Sequence, residues 1–161
     1  TARFPVMCII EQKPTLIVLM GLQASGKTTF FQRYLRDRGY VHINLDTLKT
    51  RNREILEVTR CLDQSLDCVI DNTNPTKDDR RRYIGPAKDK GYHIIGYFMQ
   101  SKLAGCLKRN DRRERQVPKK GILSTFNKIE MPSLEEGFDE LNFVSIEDGE
   151  FRISKWIEDE I

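Results

Sequence analysis

The sequence predicts an α/β fold built on a parallel sheet, and three observations carry that expectation. Short β-branched apolar runs alternate with helical segments along most of the 161 residues, the pattern of βαβ units. A glycine-rich turn, Gly21-Leu22-Gln23-Ala24-Ser25-Gly26, separates the first such run from the first helical segment. With 39% hydrophobic and 32% charged residues, the chain has the make-up of a packed domain, and its length suffices for a real core. Residues 1–161, without internal repeat or linker, are therefore expected to form a single domain.

Thr15 to Met20 is the first buried strand. Lys27 to Arg38 reads as helix and stops at Gly39. Tyr40 to Leu45 is a second strand, and Asp46 or Thr47 can cap the helix that follows, up to about Leu66. Cys68-Val69-Ile70 forms a third strand. Lys77 to Lys90 is helical in pattern despite Gly85-Pro86, His93 to Met99 is a fourth strand, and Ser101 caps a helix running to about Arg109. Arg112 to Lys120, nearly devoid of apolar residues, is expected to be exposed. A short helix over Gly121 to Glu130, a turn at Met131-Pro132-Ser133 and a strand over Leu141 to Ile146 follow. The pattern assigns no type to Phe151 to Ile161.

Charge is divided unevenly. Residues 1–129 carry 25 basic and 13 acidic side chains, whereas 130–161 carry 2 and 11. A basic body suits polyanions such as nucleotides or nucleic acid, and is also compatible with a plain solvated surface. The acidic stretch is open to three readings: a packed cap, a partner site, or self-screening. The longest apolar runs, Val6 to Ile10 and Leu16 to Met20, are far shorter than the ~18–20 residues of a membrane span, and residues 1–10 do not read as a secretory leader. The four cysteines, at 8, 61, 68 and 106, form no CxxC pair, and His42 and His93 stand apart from them. Neither zinc nor a disulfide framework is expected; the cysteines read as small apolar fillers in a cytoplasmic protein.

Gly21 to Thr28 matches GxxxxGK[ST] in full, between a strand and a helix as the P-loop requires. Gly21 and Gly26 permit backbone conformations that a Cβ would obstruct, so that successive N–H groups turn inward around a phosphate. The helix N-terminus adds its dipole. Lys27 is expected to neutralise the β- and γ-phosphates of ATP, and the Thr28 hydroxyl to ligate Mg²⁺. Leu22, Gln23, Ala24, Ser25 and Thr29 complete the nucleotide-binding set.

Candidate acceptor residues follow the next two strands, because ligands of such sheets sit outside the carboxyl ends of the strands. Asp46 can accept the proton of an attacking hydroxyl, or can simply cap a helix. Lys49 and Arg51 can hold an acceptor phosphate or be surface charges. Asp71 follows Val69-Ile70 as a Walker-B-type aspartate follows its strand, and can orient Mg²⁺. Asn72, Thr73 and Asn74 can hydrogen-bond an acceptor or form an Asx turn. Residues 108–120 contain seven basic and two acidic side chains, which makes Arg112, Arg113 and Arg115 candidates for a lid, spanning about residues 110–128, that closes over the ATP phosphates.

Taken together, these motifs resemble the kinase domain of polynucleotide 5′-hydroxyl kinases, both those joined to a 3′-phosphatase and stand-alone bacterial kinases of the same branch. The resemblance covers roughly residues 15–145. It rests on the P-loop, Tyr40-Val41-His42-Ile43-Asn44 with Asp46-Thr47-Leu48, Asp71-Asn72-Thr73-Asn74-Pro75, Arg81-Arg82-Tyr83-Ile84, Arg109-Asn110 with Arg112, and Leu134-Glu135-Glu136-Gly137-Phe138. It implies a three-layer α/β/α P-loop kinase fold of strand order 2-3-1-4-5 with an Arg-rich lid. It further implies that Asp46 is the general base, that the lid supplies an arginine to the ATP phosphates, with Arg112 the best aligned, and that the acceptor is the 5′-OH of DNA or RNA; Arg115 of the basic segment is a second candidate for contacting ATP. The chain departs from the pattern at Leu45, where the eukaryotic enzymes carry Arg, and at Lys49, where the phage enzyme carries Arg. A point charge at that position replaces a bidentate fork. A small-molecule kinase acting on a sugar, nucleoside or antibiotic hydroxyl, and a non-enzymatic nucleotide-binding switch, are the alternative expectations.

Overall fold

The computed structural model describes residues 12–157. Its frame is a six-stranded sheet: β1 (Thr15–Met20), β2 (Val41–Ile43), β3 (Cys68–Asp71), β4 (His93–Met99), β5 (Glu140–Glu147) and β6 (Glu150–Lys155), in the order β2-β3-β1-β4-β5-β6. The first five strands are parallel and in the order 2-3-1-4-5; β6 adds an antiparallel edge to β5. β1 is central because its residues are apolar on both faces, as a strand covered on both sides requires. Leu16, Val18 and Met20 face one core and Ile17 and Leu19 the other.

The first core is closed by α3 (Arg51–Asp63), through Val58, Cys61 and Leu62, and by α4 (Lys77–Asp89), through Tyr83, Ile84 and Ala87. The second is closed by α1 (Lys27–Tyr34), through Phe30 and Phe31, with Leu35 just beyond it. Helices on both faces make the three-layer α/β/α sandwich of P-loop kinases. At the carboxyl ends of the strands, α5 (Leu103–Asp111) and α6 (Lys119–Lys128) form a smaller cluster, in which Cys106 and Ile122 bury Leu22 of the glycine-rich turn. Cys61, Cys68 and Cys106 are all buried, while Cys8 lies outside the described residues, as does the apolar run Val6 to Ile10.

Several boundaries differ from the sequence expectation for identifiable reasons. The helix from Lys27 ends at Tyr34 and continues only as a 3₁₀ turn, Arg36–Arg38, before Gly39 turns left-handed at φ 82°. The long helix expected after Asp46 is two helices, α2 (Leu45–Leu48) and α3, because Lys49 adopts φ 73° and Thr50 recaps the chain by accepting the Arg53 N–H at 3.2 Å. The cap of α2 is neither Asp46 nor Thr47 but Asn44, whose Oδ1 accepts the Thr47 N–H at 3.2 Å. Ser101 does not cap α5; its hydroxyl donates to the Met99 carbonyl and accepts from the Leu22 N–H at 3.0 Å. The untyped segment from Phe151 is β6, which packs Phe151 edge-on against Phe30 at 5.6 Å; residues 158–161 lie outside the described set.

The acidic C-terminal stretch is built into this frame. Glu136 pairs with Arg80, Asp139 with Lys88, and Glu140 with His93. The first pair is internal. The Arg80 side chain is 0% exposed; its Nε and Nη2 donate to the two Glu136 oxygens at 2.8 and 3.1 Å, and its Nη1 donates to the Asn74 and Pro75 carbonyls. Arg80 thereby ties the loop after β3 to the turn Leu134–Glu136 that leads into β5. Removing one partner of a buried pair strands the other without compensation. Arg80→Leu is therefore expected to lower the unfolding free energy by about 3–5 kcal/mol in urea denaturation, with Arg81→Leu, exposed on the same helix, as the nearly neutral control.

Candidate active site

The carboxyl ends of β1, β2 and β3, the end of α5 and the segment between α5 and α6 surround a cavity of about 480 Å³. Its floor is the P-loop. Leaving β1, Gly21 adopts φ 142° and its N–H donates to the Thr73 carbonyl at 3.0 Å; a Cβ there would stand 3.0 Å from the Met99 carbonyl oxygen. Gly26 adopts φ 99° at the start of α1, with Ile146 and Phe151 within 3.2–3.3 Å of where its Cβ would be. Glycine is required at both turns on conformation and on space. Gln23, Ala24, Gly26, Lys27, Thr28 and Thr29 line the cavity, whereas Ser25 is buried beneath the loop and Leu22 is anchored in the lid cluster.

Lys27 folds back over its own loop, its Nζ donating to the Gly21 carbonyl at 2.9 Å and the Leu22 carbonyl at 2.7 Å. Burial pushes its pKa down to about 8, against the opposing pull of Asp71. Asp71, at the end of β3 and only 2% exposed, accepts from the Thr28 hydroxyl at 2.9 Å and from His42 Nε2 at 2.8 Å. Burial alone would raise its carboxyl; the His42 bond, the Lys27 charge and the Thr28 bond outweigh that and hold it below the usual carboxylate range. The His42 ring is set by stacking on Phe31 of α1, with centroids 4.0 Å apart and planes within 10°. A hydroxyl and an ionised carboxylate, both at the cavity, form an oxygen-only donor pair. Such a pair suits Mg²⁺, which keeps waters and substrate phosphates as its other ligands.

On the opposite wall stand Asp46, Arg51, Asn72 and Thr73. Asp46 lies in the first turn of α2 and makes no hydrogen bond or ion pair within the described residues, since Asn44 takes the cap and also donates to the Asp71 carbonyl at 2.9 Å. Arg51 reaches the cavity; Lys49, two residues before it, does not line it. Asn72 is committed internally: its Oδ1 accepts from the Leu45 N–H at 2.9 Å and its Nδ2 donates to Glu54 at 2.8 Å and to Tyr83 at 3.3 Å. Asn74 is buried with φ 45°, its amide donating to the Leu19 carbonyl at 2.7 Å. Among the candidates for hydrogen-bonding an acceptor directly, Asn74 is thus a brace between β1 and the loop after β3.

The lid also differs from expectation. Arg109 and Arg113 line the cavity, whereas Arg112 and Arg115 do not. Arg112 ends α5, and its backbone N–H is spent on the Arg109 and Asn110 carbonyls. Arg109 Nε donates to the Ala24 carbonyl at 2.6 Å, joining α5 to the P-loop. Buried Asn110 clips the intervening segment by exchanging two hydrogen bonds with Val117, at 2.8 and 2.9 Å. Gln23 Nε2 donates to Thr125 of α6 at 3.0 Å. His42, Tyr83 and Arg109 received no role from the sequence, their partners Asp71, Glu54 and Ala24 lying 29, 29 and 85 residues away; nor did Glu54, which bonds Asn72, 18 residues away, as well as Arg51 one helical turn before it.

Fold and loop together define a P-loop kinase architecture. Residues 16–65 match the family described as an AAA domain. The resemblance to polynucleotide kinases is borne out by homologues bearing that name. The chain is 31% identical over 151 residues, 89% of its length, to the bifunctional polynucleotide phosphatase/kinase of Schizosaccharomyces pombe. It is also 31% identical over 144 residues, 83% of its length, to the correspondingly named protein of Acanthamoeba polyphaga mimivirus. It spans about a third of the length of these relatives, 37% and 34%. The L-seryl-tRNA(Sec) kinase of Methanococcus maripaludis is 25% identical over 142 residues, 77% of this chain and 56% of the relative. In fold, the chain is similar to Chaetomium thermophilum Kti12 in complex with ADP-AlF3, with a TM-score of 0.67 and 18% identity over 83% of this chain and 90% of that one. It is similar also to a gluconokinase from Sinorhizobium meliloti, with a TM-score of 0.59 and 17% identity over 83% of each. Among the described residues, no helix is long and apolar enough to cross a membrane.

The depressed Lys27 pKa has a stability consequence. Between pH 8 and 10.5 the unfolded chain binds more protons at this lysine than the folded one, so stability rises with pH across that window; below pH 8 the full cost of the buried ammonium is present. Lys27→Met is expected to stabilise the ligand-free protein at pH 7 by up to about 3 kcal/mol. The gain should shrink as pH rises towards 10, in urea titrations of both proteins.

Proposed function

We propose that this chain is an ATP- and Mg²⁺-dependent phosphotransferase whose acceptor is the 5′-hydroxyl of a polynucleotide. The observation that carries the reading is Asp46: a carboxylate released from capping by Asn44, on the wall of the P-loop cavity, without an internal partner among the described residues. The P-loop amides and Lys27 hold the β- and γ-phosphates. Thr28 and Asp71 would hold Mg²⁺, which when bound neutralises charge on those phosphate oxygens. The acceptor hydroxyl attacks the γ-phosphorus and its proton passes to Asp46. The new O–P bond forms as the bond to the β-phosphate oxygen breaks, and ADP leaves. Arg113, with Arg109 beside it, is assigned the charge that builds on the transferring group, in place of Arg112 and Arg115. Residues 110–128 act as the lid of a single kinase unit.

The polynucleotide acceptor is supported by the two relatives at 31% identity, and by a body, residues 1–129, with 25 basic against 13 acidic side chains. The chain is to be incubated with γ-labelled ATP, Mg²⁺ and 5′-OH DNA and RNA oligonucleotides. Label is expected at the 5′ end, and transfer should weaken as salt rises, because binding a polyanion releases counterions. Label reaching only small hydroxyl compounds, without a salt slope, would reject the polynucleotide acceptor in favour of a small-molecule kinase. Asp46→Asn is expected to lower kcat by about 10²–10⁴-fold while ATP still raises the melting temperature. Arg113→Ala should lower kcat by about 10³-fold, and Arg112→Ala by far less; single-turnover transfer rates decide between the two.

A further inference from the structure

The acceptor wall is organised around a residue that itself does not line the cavity. Glu54, in the first turn of α3, has a side chain that is 0% exposed, and its two oxygens accept three hydrogen bonds. Oε1 accepts from Arg51 Nη1 at 2.9 Å and from the Tyr83 hydroxyl at 2.7 Å; Oε2 accepts from Asn72 Nδ2 at 2.8 Å. Arg51 Nη1 also donates to the Tyr83 oxygen at 3.1 Å, closing the ring, and Asn72 Nδ2 reaches the same oxygen at 3.3 Å. A carboxylate this deep is costly unless it is paired and hydrogen-bonded, and here both conditions are met by Arg51 and Asn72 of the cavity wall together with the buried Tyr83.

Two arms leave Glu54. The first is the ion pair to Arg51, whose side chain is 48% exposed and lines the cavity. One nitrogen of the guanidinium is committed to Glu54 and Tyr83, while the remaining donors of the planar fork suit an incoming anion. The second arm runs through Asn72. With its amide nitrogen bound to Glu54, its oxygen is fixed towards the Leu45 N–H at 2.9 Å, the backbone position directly before Asp46. The same carboxylate therefore sets the anion-facing arginine and the turn that carries the proposed base.

We propose that Glu54 is a positioning residue that couples Arg51, as the contact for an acceptor phosphate, to the placement of Asp46 through Asn72. This rests on the phosphotransferase reading above. It goes beyond that reading by joining recognition of the acceptor's charge to alignment of its hydroxyl: one buried group serves both, so the two fail together when it is neutralised.

The test is steady-state kinetics on a 5′-OH oligonucleotide for the wild type, Glu54→Gln, Arg51→Ala, Asn72→Ala and the Glu54→Gln/Arg51→Ala double variant. ATP-induced thermal stabilisation serves as the check that each is folded. Glu54→Gln, which preserves shape, is expected to raise the acceptor KM about 10–100-fold and to lower kcat, leaving the KM for ATP within about twofold. Arg51→Ala should reproduce mainly the KM effect and Asn72→Ala mainly the kcat effect. The double variant should be less impaired than the product of the two singles. A Glu54→Gln protein with a lowered melting temperature but wild-type acceptor KM and kcat would overturn the proposal and leave Glu54 a structural residue. If Glu54→Gln does not fold, the two single-arm variants decide: equal, unspecific losses in ATP and acceptor KM would overturn it. A wild type that binds ATP but labels no hydroxyl would instead refute the phosphotransferase reading, and with it this one.

Discussion

The site depends on the Asp71 carboxylate more than on any other group. It stands at the end of β3, nearly sealed from solvent, and is reached by a hydroxyl from α1 and a ring nitrogen from β2. Three elements consecutive in space but separated in sequence are thereby drawn to one point. The cost of burying the charge is offset only if both partners are in place, so the P-loop helix, the second strand and the third strand hold one another in register at the end where the cavity opens. Phe31 stacking on His42 extends the constraint into the apolar layer beneath.

The Gly21 N–H is tied to the Thr73 carbonyl and the Asn74 amide to the Leu19 carbonyl, so the loops after β1 and β3 are laced together. The P-loop itself sits in costly states: Lys27 is a buried ammonium whose pKa is pushed down to about 8, and Gly21 and Gly26 hold backbone angles few other residues would accept. Stability is given up locally in this loop, as is common where function requires preorganisation. The supply of stability lies further out, in the double-sided core and in the internal Arg80–Glu136 pair.

The acceptor wall follows the same logic with a different group at its centre. Glu54 is to Arg51 and Asn72 what Asp71 is to Thr28 and His42: a buried carboxylate that accepts hydrogen bonds from side chains of neighbouring elements. The two networks meet at the β2–α2 junction, where Asn44 bonds the Asp71 carbonyl and the Leu45 N–H bonds Asn72. Asp46 is the next residue. A carboxylate without an internal partner among the described residues is thus flanked on its chain by two fixed N–H groups, those of Leu45 and Thr47, as the proposed role of a base requires.

Much of this was legible in the linear sequence, and for a physical reason. The P-loop, the buried strands and the order of elements are local: spacing, periodicity and glycine placement are expressed within a few residues, so Gly21 to Thr28, β1 and the alternation of strand and helix could be read directly. The family resemblance supplied the 2-3-1-4-5 order, because strand order is a long-range property that no local pattern contains. What tertiary structure alone decided are the choices between chemically equivalent neighbours. Asn44 rather than Asp46 caps α2, Arg113 and Arg109 rather than Arg112 and Arg115 face the cavity, Arg51 rather than Lys49 reaches it, and Asn72 and Asn74 spend their amides inside the protein. Each choice turns on which way a side chain points. For Asn72, Asn74 and Arg109 the partners are Glu54, Leu19 and Ala24, 18, 55 and 85 residues away, which come within hydrogen-bonding reach only once the chain has folded.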